Sequence, residues 1–423
     1  MRADARRSRV RMASLVALPI LVSACVGPPK WRAPMQHTTA EAEIALTADD
    51  PVVLDRDILI HEVVRIPMPK TLRPCCILGD QAKVRLGPVP VPFVRMPNMQ
   101  GRGDLGRHAY DSGIVRLQRS GERDLGVNPE RNGVVYTCRG GFIDIAHVRD
   151  WSDWTLYLGS LFASSVDTGV VLELPDEGGP RRVELKPIPM TLIEKVGLRR
   201  ISGALAQWTA FQLSIWHEII TWYGWRALRG WSEEASAYSP EDLYSNLVGI
   251  RLAGAIIARR GATSSEGLYN EAVDLWLQGL LAHLGALPRY LGRDAIRAVD
   301  GLWWDSSARL PDKRFVIRRH FELGDQHPWL IPEHRLDDPA FAKLRASCGD
   351  EPDPLPLTLP HASREVRFAD WVTVSIELSD RYAERAPFPE LGRTITQEEF
   401  PAIVAANREQ NREEFGPDAD RPD

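Results

Sequence analysis

Hydrophobic and polar positions along the chain change period near residue 140, and that change divides the body of the sequence in two. From Pro51 to Tyr136 apolar residues come in short β-branched runs, Ile58 to Ile66 and Lys83 to Met96, which predict strands. Pro67, Pro69, Pro88, Pro90 and Pro92 confine these runs to sheet edges, because proline has no N–H to place in a ladder. Gly101 to Asp124, dense in Gly, Arg and Asp, predicts an irregular loop, and Val134 to Tyr136 a short strand. Helical spacing then takes over. Ile143, His147, Trp151, Trp154, Leu158 and Leu161 share one face of a helix predicted from Phe142 to Phe162. Residues 169–186 predict a hairpin, VVLEL and RRVELK about a Gly178-Gly179-Pro180 turn. A second helical block covers about Leu192 to Gly230. Ser239-Pro240-Glu241-Asp242 predicts the start of a third, with Ser at the N-cap, Pro at N1 and Asp at N3, running on through Leu243 to Arg259. A fourth spans about Ser265 to Leu284. Val372, Val374, Ile376 and Leu378 alternate with polar residues, a half-buried strand.

The fold class expected from this order is α+β. It has a mainly helical core from about 140 to 310, flanked by short antiparallel strands, within a single domain over residues 51–380. The segment 381–423 is expected to be a charged C-terminal tail, with its last twenty residues frayed. There is no internal repeat.

The apolar pattern at the N-terminus has a different meaning. Arg2, Arg6, Arg7, Arg9 and Arg11 form a basic head, Met12 to Val22 is an apolar run, and Ser23-Ala24 precede Cys25. Eleven apolar residues are too short for a spanning helix, which needs ~20, but suit a cleaved export signal. Val22-Ser23-Ala24-Cys25 resembles the lipobox of lipoprotein signal peptidase. That resemblance implies a signal peptide over residues 1–24 and a lipidated Cys25 as the mature N-terminus. It also implies a tether over residues 25–50 and a lipid-anchored place in the cell envelope. Val26 follows Cys25, with no Asp there to signal inner-membrane retention, so the expected site is the outer membrane, facing the periplasm.

Charge and cysteine content sharpen that picture. Residues 1–24 hold five Arg and one Asp, so their removal takes the net charge from −5 to −9, and an acidic chain lacks the footprint of a nucleic-acid binder. Cys75, Cys76, Cys138 and Cys348 remain, and an oxidising compartment permits disulfides among them in three pairings. A vicinal Cys75–Cys76 bridge is disfavoured by strain. Seven of the thirteen Trp fall between Trp151 and Trp231, marking a core or a deep site. Ile201 to Trp225 is the one run that invites a membrane reading. It also contains Ser202, Gln207, Thr209, Gln212, Ser214 and Thr221, so a buried central helix explains it better.

Two segments could carry chemistry. In Gly140-Gly141-Phe142-Ile143-Asp144-Ile145-Ala146-His147-Val148-Arg149-Asp150, Asp144 and His147 are three apart and point with the apolar residues, inward. In Trp216-His217-Glu218-Ile219-Ile220-Thr221, a carboxylate sits in the least polar helix and must be paired, protonated or metal-bound. His217-Glu218 resembles the first half of the HExxH zinc motif, but Thr221 stands where the second His belongs. A zinc site would therefore draw on both segments: His147 and His217, Asp144 or Glu241 as third ligand, and Glu218 as general base or a further ligand. The simpler alternative makes these satisfied core residues, with Glu218 meeting Arg199, Arg200 or Arg251, and Glu241 and Asp242 acting as helix-capping acids. Cys138, between a strand and a helix, is an alternative nucleophile with His147 or His217 as base. The Trp cluster could bind glycan, although its helical spacing favours core packing.

The three motifs GGFID-x-x-H-x-RD, HE-x-x-TWYG and SPEDLYSN together resemble an uncharacterised family of bacterial proteins read as lipoproteins and classed as a domain of unknown function. The resemblance covers roughly residues 50 to 380 and implies that the His147 and His217-Glu218 regions are the family signature; it supplies no activity. The expected function is a metal-dependent hydrolase of the cell envelope acting on peptide or peptidoglycan bonds. The alternative is a non-catalytic lipoprotein that binds an envelope protein or glycan.

Overall fold

The computed structural model describes residues 39–48, 66–70, 72–73, 78–113, 130–226, 232–258, 265–349, 352–363 and 366–423. The signal segment, Cys25, Cys75 and Cys76, and all but the last residue of the Ile58–Ile66 run lie outside them.

The architecture is α+β. Strand β1 (Ala82–Leu86) and β2 (Val89–Met96) form a two-stranded hairpin, and β3 (Val134–Thr137) pairs antiparallel with β4 (Gly141–Asp144). Helix α2 (Ile145–Ala163) follows at once, so the segment read as helix from Phe142 begins as a strand. The switch is set by Asp144, whose carboxylate caps α2 by accepting the N–H groups of Ala146 and His147. β5 (Val170–Leu174) and β6 (Arg181–Leu185) form the expected hairpin. They extend into a four-stranded antiparallel sheet through the strands Val372–Glu377 and Thr394–Thr396. The single block read from Leu192 to Gly230 is two helices, α3 (Met190–Val196) and α4 (Leu198–Trp222), broken at Gly197, whose φ of +102° suits glycine alone. Then come α5 (Asp242–Ile257), α6 (Glu266–His283) with Ser265 as its N-cap, and α7 (Arg289–Ala298).

Helices α2, α4 and α5 pack together as the centre of the core, and Ile201 to Trp216 of α4 are buried throughout. No helix among the described residues is long and apolar enough to cross a membrane. Small residues let these helices approach. A Cβ on Gly249 of α5 would lie 2.1 Å from the carbonyl oxygen of Val148 on α2, and the Gly249 carbonyl accepts Ser152 Oγ–H at 2.9 Å. Gly249→Ala must therefore push α5 off α2. We expect it to lower unfolding stability by about 3 kcal/mol, the scale of overpacking, read by denaturant titration. A loss below ~1 kcal/mol would mean that the α2–α5 crossing gives way to a methyl group without strain.

Two boundaries differ from expectation. Within the segment read as tether, α1 (Thr39–Thr47) is folded onto α5 and α6, with Ala42 and Leu46 buried. Arg251 holds its end, donating from Nε to Ala45 O at 3.0 Å and from a terminal nitrogen to Ala48 O. Two apolar residues four apart show no period, and the cation that captures them lies some two hundred residues away. The segment 381–423 is likewise part of the body. Besides the sheet strand it carries a helix, Phe400–Phe415, whose inner face is Phe400, Ile403, Val404, Asn407 and Asn411. Tyr223 Oη–H donates to Asn407 Oδ1 at 2.6 Å, Trp222 Nε1–H donates to Gln410 at 3.0 Å, and Phe400 stacks on Trp216. Asparagines on a buried face hide the amphipathic signature.

Candidate metal centre

The β4–α2 junction and the start of α5 meet at the bottom of the helical core. The Asp144 N–H donates to Ser245 Oγ on α5 at 2.9 Å, fixing one element against the other. The contact brings together Asp144, His147 and Asp242, each buried and each offering one ligand atom, with those atoms all within 4.8 Å of one another. This group could hold a metal ion. His147 Nδ1 and Asp242 Oδ1 are 3.3 Å apart but lack hydrogen-bond alignment, and both are buried without a hydrogen-bond partner. Two unpaired donor atoms at that separation, shielded from water, are what a cation between them would use.

The shell around the three is strongly acidic. Glu218 on α4 accepts the Tyr238 N–H at 2.8 Å through Oε2, while its Oε1 is unpaired. Glu241 accepts Ser239 Oγ–H at 2.7 Å, and its Oε1 is unpaired too. Asn246, one turn beyond Asp242 on α5, leaves both side-chain polar atoms buried and unpaired. Burial pushes the Asp242 carboxyl well above the carboxylate range, and the neighbouring charges of Glu218, Glu241 and Asp144 push it further. Burial raises Glu241 in the same direction, with Asp144 adding to it against the Ser239 hydrogen bond. Arg319, buried and held by the carbonyls of Ala235, Ala237, Lys313 and Val316, is the cation whose field reaches Asp242 and Glu218. Four clustered carboxylates in so dry a place require protons or a divalent ion.

His217 and Glu241 stand outside the three-residue ligand group. The His217 ring lies edge-on to that of His147, with centroids 6.4 Å apart. Its Nδ1 faces Glu177 Oε1 at 3.3 Å, and Glu177 is ion-paired with Arg181 at 2.5 Å. Burial disfavours charge on His217, but Glu177, with help from Glu218 and Glu233, overcomes this and raises its pKa to about 9. The Glu177 turn is tightly packed. A Cβ on Gly179 would lie 2.0 Å from Glu377 O, one on Gly178 would meet Ile220 at 2.5 Å, and Trp216 Nε1–H donates to Glu177 O at 2.9 Å. A cavity of about 20 Å³, room for one water, lies between His147, His217, Trp151, Asp150, Arg73 and Glu233.

The two neighbours face different surroundings. His217 lines the cavity, while Glu218 turns to Tyr238 and the acid cluster; consecutive helical residues point about 100° apart, so they cannot share one target. Arg251, a suggested partner for Glu218, binds Gln207 and the end of α1 instead. Asp242 was legible only as a helix-capping acid, and it does accept the Ser239 N–H at 3.1 Å through Oδ2, with Oδ1 left over. The helix itself starts at Asp242, two residues later than expected. Glu177, in a hairpin turn, had no sequence signal. Cys138 forms a disulfide with Cys348, which removes it as a nucleophile.

A family model described as "Protein of unknown function (DUF4056)" matches residues 63–332. No curated protein and no solved structure matches the chain.

Proposed function

The chain belongs to the family of unknown function DUF4056, and on the centre it carries we propose a metal-dependent hydrolase of the cell envelope. The observation that carries this reading is the convergence of Asp144, His147 and Asp242 with unpaired atoms on His147 and Asp242. One imidazole and two carboxylates suit zinc, and the acidic shell also suits Mn²⁺ or Fe²⁺. A bound divalent ion would supply Lewis acidity and a water of lowered pKa. The residues of the chain do the rest. Asp144 holds His147 in place by capping its helix. Glu177 orients His217 through Nδ1, leaving Nε2 for proton exchange at the cavity. Glu218 and Glu241 balance charge behind the ligands. The N-terminal signal pattern supports an envelope location and hence peptide or glycan bonds as substrate.

One observation favours the second reading, a non-catalytic lipoprotein binding a partner or glycan: the cavity admits little more than a water. Elemental analysis of the purified full chain separates the possibilities. About one divalent metal per chain is expected, lost in His147→Ala. A stable, metal-free chain overturns the centre. If metal is present, its removal should abolish hydrolysis of purified sacculi while the fold persists; loss of the fold alone would favour the non-catalytic reading.

A further inference from the structure

The β1–β2 hairpin combines features that the metal centre does not use. Its turn, Gly87-Pro88, has open space around it, and the flanking Leu86 and Val89 are 65% and 62% exposed. The pairing runs Leu86 with Val89, Arg85 with Pro90 and Val84 with Val91, then jumps to Lys83 with Arg95. The residues skipped in β2 form a bulge that contains Phe93. Phe93 sits at φ +66° and is 97% exposed, and Met96 beyond it is also exposed. A bulky residue in the left-handed region is unfavourable, and a Phe ring fully in water is unfavourable again. Both are sustained at one residue, which points to an apolar environment that the chain alone does not supply.

Charge and backbone chemistry identify that environment. Residues 81–98 contain Lys83, Arg85 and Arg95 and no acid, although the chain as a whole carries −5. Lys83 donates to Ser306 O at 3.1 Å and Arg85 stands 3.5 Å from Asp312, so both are held at the base of the hairpin. Reciprocal hydrogen bonds between Leu310 and the Lys83 and Arg85 backbone dock that base on the body, leaving the tip to project. Pro90 and Pro92 remove N–H donors from β2, so a partner strand would find a poor ladder. Exposed apolar side chains at the turn, Leu86 and Val89, and on the bulge, Phe93, with basic residues beside them are complementary to an anionic bilayer surface.

We propose that the β1–β2 hairpin is a membrane-docking element that inserts Leu86, Val89 and Phe93 into the interface of anionic phospholipid. The element is independent of any lipid at the N-terminus and would set which face of the body meets the bilayer.

The test places a nitrile on the bulge, as Phe93→p-cyanophenylalanine in the full chain, and reads its infrared band with vesicles. With phosphatidylglycerol vesicles the band is expected to shift to the position of a nitrile without hydrogen bonds to water. With phosphatidylcholine alone the shifted fraction should fall at least fivefold, as it should for Arg85→Glu/Arg95→Glu on the anionic vesicles. The N-terminal segment is common to all these chains, so it cannot account for a difference between them. A nitrile that stays hydrated on anionic vesicles overturns the proposal, however much protein binds. So does a nitrile that dries without lipid as protein concentration rises, which would make a second copy of the chain the occupant.

Discussion

Asp242→Asn is expected to weaken metal binding by about two to three orders of magnitude while making the metal-free chain more stable. A structural zinc site is worth ~10–16 kcal/mol, so one of about four ligands accounts for roughly 3–4 kcal/mol. The gain in the metal-free chain follows from the crowding of carboxylates around Asp242. Burial, then Glu218, Glu241 and Asp144, raise its pKa in the folded state. The folded chain therefore holds a proton that the unfolded chain has released. In the window above the ordinary carboxylate value of ~4, stability falls as pH rises, until the folded-state value is passed. Asparagine carries no charge, so the variant should lack this decline and be more stable to unfolding than the unsubstituted metal-free chain at pH 8, by ~1–3 kcal/mol. Calorimetry with and without metal at pH 5 and pH 8 measures both effects. Equal metal affinity in the two chains would remove Asp242 from the ligand set. A metal-free variant no more stable at pH 8 would mean that the carboxylates are neutralised by something other than protons.

Arg73→Met should cost about 3–5 kcal/mol of unfolding stability, the scale for removing one partner of a buried ion-pair network. The Arg73 guanidinium meets Glu130 at 2.7 Å, Asp150 at 2.7 Å and Asp153 at 3.0 Å, and donates to Ala109 O. His108 and Tyr269 complete the shell around Asp153, each at 3.0 Å. Through Arg73 and Asp150 the network forms one wall of the cavity beside His147. Burial would raise Glu130, but Arg73 and Arg149 hold it well below the carboxylate range; His108 and then Arg73 lower Asp153 against burial. Carboxylates with depressed folded-state values contribute stability above ~4 that is lost as pH falls through those values. Asp150 opposes them: burial outweighs Arg73 and lifts it to about 7, so its contribution falls as pH rises from ~4 to that value and stays lowered above it. Denaturant unfolding from pH 3 to pH 8 should show the unsubstituted chain losing stability in acid and the Met variant with a flatter, lower curve. A loss under ~1 kcal/mol would show that the acids find other partners.

Both sites illustrate where local pattern carries information and where it fails. His147 was legible because its place on an apolar helix face requires it to point inward, whereas Asp144, read as its partner on that face, is the last residue of β4 and the N-cap of α2. His217-Glu218 was legible as an ionisable pair in an apolar helix, but its direction was not, since spacing says nothing about which neighbour each side chain meets. Asp242 was hidden by a second role, because a capping acid after Ser239-Pro240 needs no further explanation. Glu177 and Arg319 come from a turn and an irregular stretch, where no period marks inward-facing residues.

By itself the sequence determined the α+β class, the hairpin at 169–186, the central apolar helix and the inward acid–histidine pairs, all of which follow from spacing along the chain. The tertiary structure decided which acid completes the group with Asp144 and His147, which histidine faces the cavity, and how Cys138 is paired with Cys348. It also decided that α1 and the C-terminal helix belong to the body. Each of these depends on contacts between residues far apart in sequence, with Gly249 setting the approach of α5 to α2, and distance in space leaves no trace in local periodicity.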